Sequence, residues 1–497
     1  MHDTQPFALL VLLTAAAGLV GVLSNRLTSR VKVPAPALML VAAAIVGKVL
    51  PIQAPPQRTV ERLVTIALLC ILFDGGMHIG WSRFRAAAVP ITIVGVLGTF
   101  LTVAATAALV HAGFALSWYA SLLLATAVAP TDPAVVFSVL GQREVSGRGG
   151  TVLEGESGAN DPVGIALMAS LIAAGGLGGG AAAQVSVAFV LQMAVGAVVG
   201  LLGGRALLWF MREVPLPNEG LYPLRTLASA LVLFGAATLA HGSGFLAVFV
   251  AGIVLGDERA PYKREIERFH GALASLGEII AFIVLGLTVD LDVLRRVDVW
   301  VPGLLLGAAL ALVIRPVCVG LCLVPARLER RESAFVLFAG LKGAVPILLG
   351  TFLLLARVPD AARLYGIVVV VVVFSVVAQG SLVPTVAGLL RLPMRTVEPE
   401  PWALGVRLRD EPNGAHRFRI ATGAPADGST IKDLARLPED VWVSFLVRDQ
   451  QLVPVNRDTR LRAGDDVLVL SDPDRQESLR AAFEQPSTPS TQITEAH

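Results

Sequence analysis

One stretch of the chain gathers groups that could do chemistry. Glu154-Gly155-Glu156-Ser157-Gly158-Ala159-Asn160-Asp161-Pro162 sets three carboxylates, a hydroxyl and an amide inside apolar sequence. Other ionisable residues stand singly in apolar surroundings: Asp74 in Leu72-Phe73-Asp74-Gly75-Gly76, Asp132 between Pro130 and Pro133, Arg315, and Lys342 between Gly340 and Gly343. In hydrocarbon each of these charges is costly, and such residues are kept for a task. The Asp161 carboxylate can carry a proton, or it can ligate a small dehydrated cation helped by the Ser157 hydroxyl and by carbonyls freed near Thr131. It cannot easily do both. That competition is the minimum chemistry of a cation/proton exchanger. Asn160 is a neutral neighbour, so one titrating carboxylate dominates, and one proton moves against one monovalent cation. Oxygen ligands of this kind suit K⁺ or Na⁺, and no catalytic residue or resident cofactor is expected.

The elements that must position these residues are membrane spans. The 497 residues are 55% apolar and 16% charged, and the mean hydropathy is +0.71. A soluble protein is excluded. Charge is sparse through residue 392 and dense from 393 onwards, as for a membrane body followed by a water-soluble tail. A net charge of +2 without basic clusters excludes a nucleic-acid partner. Cys70, Cys318 and Cys322 lie in apolar runs without zinc or disulfide spacing and read as core residues. The first apolar run has no basic residues before it and is read as a span, not a signal peptide.

With about 20 residues needed per crossing, thirteen spans are expected: 7–23, 33–50, 60–80, 87–111, 117–140, 151–173, 183–210, 222–241, 243–257, 270–289, 299–324, 333–355 and 363–390. Basic residues crowd the loops after odd-numbered spans, among them Arg83, Arg85 and Lys263. This puts the N-terminus outside, the tail in the cytoplasm and the protein in the cell inner or plasma membrane. The fifth span is broken at Ala129-Pro130-Thr131-Asp132-Pro133 and the twelfth at Gly340-Leu341-Lys342-Gly343-Ala344-Val345-Pro346. They lie seven spans apart and enter from opposite sides. That is the pattern of inverted repeats, about 7–173 and 222–390, joined by a linking helix about 183–210. At 1.5 Å rise per residue, Asp161, Asp132 and Lys342 come out near the midplane, while Glu156 and Arg315 share a shallower depth and can pair.

These same segments, with Asn160-Asp161 at their centre, resemble the signatures of the monovalent cation:proton antiporter-1 family, closest to its NhaP/CvrA-type potassium/proton antiporters. The resemblance implies an all-α polytopic fold with two crossing broken helices, and a homodimer in the bilayer whose core domain moves as an elevator. It implies Asp161 as ion and proton carrier with Asn160, Ser157, Thr131 and Asp74 near the ion. It also implies a structural ion pair of Glu156 with Arg315, and Asp132 and Lys342 neutralising the half-helix ends. The family often has Arg where Lys342 stands.

Residues 393–414 read as a linker and 415–485 as a small α/β domain. Strands are expected at 417–422, 441–447, 452–455 and 466–470, and helices at 429–437 and 475–483. This domain resembles the TrkA-C module, which implies a possible regulatory nucleotide or ion. Residues 486–497 read as disordered. Three readings compete with K⁺/H⁺ exchange: Na⁺/H⁺ exchange, a cation channel, and a rhomboid-like protease using Ser157 and His241, which the unequal depths of those two residues disfavour. His78, His111 and His270 read as interfacial, solvated imidazoles. Glu278 has no firm role; lining a cytoplasmic funnel with Glu154 or pairing with a cation are both open.

Overall fold

The computed structural model describes Leu19 and residues 34–49, 56–140, 143–145, 148–258, 260–326, 328–392, 394–396, 415–432, 442–448, 451–471 and 476–485. The first expected span, most of the linker and the terminal tail lie outside the described residues. The chain divides into two units, Met1–Pro399 and Glu400–His497.

The first unit is helical. Its helices are α1 (Ala35–Val49), α2 (Gln57–Thr92), α3 (Thr99–Phe114), α4 (Trp118–Val128), α5 (Pro133–Leu140), α6 (Arg148–Ala174), α7 (Ala181–Glu213), α8 (Leu221–Leu239), α9 (Gly244–Gly256) and α10 (Lys263–Leu287). There follow α11 (Leu291–Leu294), α12 (Val297–Ala309), α13 (Arg315–Leu323), α14 (Arg330–Phe338), α15 (Ala344–Leu355), α16 (Ala361–Val373) and α17 (Gly380–Leu389). π-helical turns at Ile93–Gly98, Leu310–Ile314 and Phe374–Gln379 fuse α2 to α3, α12 to α13 and α16 to α17. Six stretches are long and apolar enough to cross a membrane: Gln57–Phe114, Ala181–Glu213, Leu221–Leu239, Lys263–Leu287, Val297–Ala326 and Ala361–Leu389. Shorter apolar helices, including α4, α9 and α15, stand among them. Exposed Val187, Val190, Leu202 and Trp209 on α7 are what a lipid-facing surface needs.

The loop expected between the third and fourth spans is absent. Helix continues through Arg83 and Arg85, and only Gly80 leaves helical geometry, at φ 67° and ψ 166°. This left-handed position requires glycine. The Asp257 carboxylate caps the arm beyond it by accepting the Ser82 N–H. The arm before Gly80 packs backbone to backbone on α9. A Cβ on Gly76 would lie 2.4 Å from the Phe249 carbonyl, and one on Gly252 2.4 Å from that of Phe73. Small residues spaced for such close approach hold helices together where no hydrophobic effect acts between them.

Helix α10 begins at Lys263 rather than 270, which carries His270 two turns inside. Its ring is fully enclosed, with Nε2 2.8 Å from Thr226 Oγ1 and an edge-to-face contact with Phe73. The expectation of a solvated interfacial imidazole is corrected accordingly. After α5, strand β1 (Arg143–Val145) pairs antiparallel with β2 (Met394–Thr396), the segment that follows α17.

The second unit is an antiparallel sheet of β3 (Ala415–Arg419), β4 (Trp442–Arg448), β5 (Gln451–Val453) and β6 (Asp466–Leu470), in the order β3-β6-β4-β5. Helix α18 (Gln476–Phe483) covers it, stacking Phe483 on Phe418. Arg448 grips buried Asp465 with two bonds of 2.8 and 2.7 Å. The helix expected over 429–437 is not formed at 429–432, where the chain turns and Thr430 bridges to Arg460; its remainder lies outside the described residues.

Candidate functional site

The two interruptions read in the sequence are physically joined. Between α4 and α5, and between α14 and α15, the chain leaves regular secondary structure, and the Asp132 N–H donates to the Leu341 carbonyl at 2.8 Å. Prolines make the breaks tolerable: Pro133 opens α5, where a helix has no use for its missing N–H. At the crossing four half-helix ends meet, each with unsatisfied backbone groups. The Asp132 carboxylate serves the N-terminal ends. It immediately precedes α5 and lies against Gly343, the N-cap of α15, where an added Cβ would be 1.9 Å from Oδ2. Lys342 serves the end of α4, its Nζ donating to the carbonyls of Ala129 (2.8 Å) and Pro130 (3.2 Å). Both placements complement the helix dipoles.

Arg315 serves the fourth end. Its Nε donates to Leu337 O and one terminal nitrogen to Val336 O, each at 3.0 Å, closing α14. The guanidinium fork also takes both oxygens of Glu156, at 2.7 and 2.9 Å, in a pair whose side chains are only 6% and 2% exposed. A buried charge pair of this bidentate geometry is positioned tightly and leaves no acceptor unused. The last carbonyl of α14, on Phe338, accepts from Gln379 Nε2 at 2.6 Å, and the Ser375 hydroxyl links Gln379 to the Lys342 N–H. The sequence reading missed Ser375 and Gln379. Their signal was a polar pair four residues apart in a run otherwise rich in valine.

Beside the crossing, α6 presents Ser157, Asn160 and Asp161, all buried. Two of them clamp Thr131. Asn160 Nδ2 donates to its hydroxyl at 2.7 Å, the Thr131 N–H donates back to Asn160 Oδ1 at 3.3 Å, and the Ser157 hydroxyl donates to its carbonyl. Asp161 is different: its Oδ1 is sealed from solvent and has no hydrogen-bond partner among the described residues. An ionised carboxylate cannot stay so at low cost. A proton or a bare cation at Oδ1 resolves the deficit, and Ser157, one helical turn before Asp161 on α6, and Thr131, held by Ser157 and Asn160, are the neighbouring oxygen donors. The residues fit a monovalent cation as cargo.

Asp74 is not joined to this cluster by any contact among the described residues. Its Oδ1 faces Gly271 and lacks a hydrogen-bond partner among the described residues, while Oδ2 lies 3.3 Å from His78 Nδ1. Glu278 likewise has an unpartnered buried Oε1 and lies within Coulombic reach of Asp132; no basic side chain pairs with it among the described residues. Ser157 and His241, which a protease would need together, are apart: Ser157 is buried on Thr131, and His241 is exposed beyond α8.

Residues 12–388 match the family model described as sodium/hydrogen exchanger, transmembrane. The chain belongs to the sodium/hydrogen exchanger family. Residues 415–484 of this exchanger match the TrkA-C domain, so the sheet unit is of that kind. It is 31% identical over 486 residues to a protein of Shewanella sp. (strain MR-4) named K(+)/H(+) antiporter NhaP2, covering 95% of this chain and 83% of the relative. It is 25% identical over 343 residues to the Na(+)/H(+) antiporter NhaP of Pseudomonas aeruginosa, covering 64% of this chain and 79% of that one. Among solved structures, the sodium proton antiporter MjNhaP1 from Methanocaldococcus jannaschii at pH 8 superposes with a TM-score of 0.65 at 22% identity, over 75% of this exchanger and 99% of MjNhaP1. The shared fold with MjNhaP1 and the family match make this a multi-pass membrane protein.

Proposed function

We propose that the chain is a secondary antiporter exchanging K⁺ for H⁺, with Na⁺ as the alternative cation, one for one and without net charge movement. The observation that carries the reading is the unpartnered, buried Oδ1 of Asp161 beside the clamped Thr131, at the crossing of two broken helices. One oxygen, held open in a low-dielectric site, accepts either a proton or a cation, and each displaces the other. Asn160 spends its amide on Thr131 and carries no charge, which supports a single titrating group. The relatives named K(+)/H(+) antiporter support K⁺; the Pseudomonas relative keeps Na⁺ in view. By this reading the protein works as a homodimer in the cell inner or plasma membrane, N-terminus outside. Its helices around the crossing shift as an elevator, its TrkA-C unit is cytoplasmic and takes a regulatory nucleotide or ion, and the transport chemistry needs no enzyme activity.

The test is purified protein in liposomes with a pH-sensitive dye, given K⁺ and Na⁺ in turn, with and without an imposed membrane potential. Proton movement driven by K⁺ and indifferent to the potential is the expected result. Movement driven by Na⁺ alone would transfer the assignment to Na⁺, and a strong response to the potential would overturn the one-for-one stoichiometry.

A further inference from the structure

The buried side-chain oxygens left without a partner among the described residues include three from carboxylates: Asp161 Oδ1, Asp74 Oδ1 and Glu278 Oε1. The last belongs to a residue with no assigned role, and its position is not arbitrary. Helices α2 and α10 pack antiparallel. Asp74 Oδ1 lies 3.9 Å from where a Cβ on Gly271 would stand, and a Cβ on Gly277 would meet the Ala67 backbone at 3.1 Å. Exchanging the two helices about an axis across their contact carries Asp74 beside Gly271 onto Gly277 beside Ala67, one residue short of Glu278. The two acids therefore hold near-equivalent positions in an antiparallel pair. Each is displaced toward the C-terminal end of its own helix, hence toward opposite ends of the contact. Since Asp74 is level with Gly271, Glu278 lies roughly 10 Å further along the axis.

Their surroundings differ in a way that suits two ends of one route. Asp74 has the His78 ring at 3.3 Å and His270 within Coulombic reach. Glu278 has Asp132, and Asp132 is also within reach of Asp161. Helix α10 packs against α15, which starts at the crossing.

We propose that Glu278 is a relay carboxylate for the transported cation or proton, serving the half of the route between Asp161 and one membrane face, as its counterpart Asp74 serves the half toward the other face. Nothing in the cluster around Thr131 requires Glu278, and a half-buried acid without a cation partner is expensive to retain unless a mobile cation or proton visits it. The inference rests on the exchange reading above and adds a direction to it: the two acids act on opposite sides.

The experiment uses the full chain inserted in liposomes in one orientation, with the cation supplied from one face at a time. Glu278→Gln should raise the apparent KM for K⁺, or for Na⁺ if that is the cargo, by about tenfold from one face and by less than about twofold from the other. Asp74→Asn should give the mirrored result, and Glu278→Asp should restore much of the lost affinity. An equal change from both faces, or none from either, overturns the proposal. Should Glu278→Gln fail to fold, Glu278→Cys and Asp74→Cys read the same geometry with a membrane-impermeant cationic thiol reagent. Labelling from opposite faces, slowed by K⁺ or Na⁺, supports the relay; labelling of both from one face, or of neither, refutes it. Because labelling needs no turnover, a wild-type protein that moved no protons would sink the exchange reading while the sidedness of Glu278 was still decided.

Discussion

Arg315 and Lys342 occupy matching stations, each closing the C-terminal end of one half-helix, and the difference between them separates scaffold from site. Arg315 is held on all sides: two carbonyls of α14 and both oxygens of Glu156 take four of its five N–H donors. Lys342 gives its ammonium to two carbonyls of α4 and pairs with no carboxylate among the described residues. The acid near Lys342, Asp161, keeps an oxygen open. One end of the crossing is thus locked by complementary charge and the other is left incomplete. A permanent partner is what a structural charge needs, and a missing partner is what a carrier needs.

The sharpest way to break this contrast is at Asp161. Asp161→Asn should leave a folded protein and reduce cation-driven proton movement by at least about a hundredfold, since a neutral amide abolishes the competition; near-normal exchange in liposomes would end the mechanism. Glu156→Gln should act on the other side of the comparison. It leaves the Arg315 charge uncompensated, and a loss of about 3 kcal/mol is expected, read as a fall in Tm and yield with cation affinity little changed. A stable variant with strongly altered affinity would move Glu156 into the ion site. Lys342→Met should slow exchange by about tenfold with a smaller fall in Tm, because it uncovers the Ala129 and Pro130 carbonyls without removing an ion ligand. An unchanged rate and Tm would make Lys342 a bystander. Gly343→Ala is the mildest: its Cβ must displace the Asp132 carboxylate, for about 1 to 2 kcal/mol of stability and a modest change in rate. No change in either would mean that Asp132 need not sit against α15.

What the sequence disclosed about this site followed from local rules. Prolines and glycines flanking Asp132 and Lys342 announced the breaks, and equal depth brought Glu156 and Arg315 together as candidates. What stayed hidden depended on partners distant in sequence. Gly80 looks like any span-ending glycine until Asp257 is seen capping the arm beyond it, so helix ran through a predicted loop. His270 read as interfacial because nothing local shows that α10 starts at Lys263 or that Phe73 and Thr226 enclose the ring. The second duty of Arg315, closing α14, requires the crossing in three dimensions. In the TrkA-C unit, the segment at 429–432 has helical composition but spends its backbone on residues 457–461.

The short ladder between β1 and β2 has a mechanical consequence. The chain leaves α17 and is stitched within a few residues to the strand that follows α5, the second arm of the first broken helix. Tension on the polypeptide beyond Thr396 is therefore borne first by backbone bonds to Arg143, Glu144 and Val145, only three residues past Leu140. The end of the described helical unit is thus anchored at the corner of α5, and a displacement of that corner carries Met394–Thr396 with it.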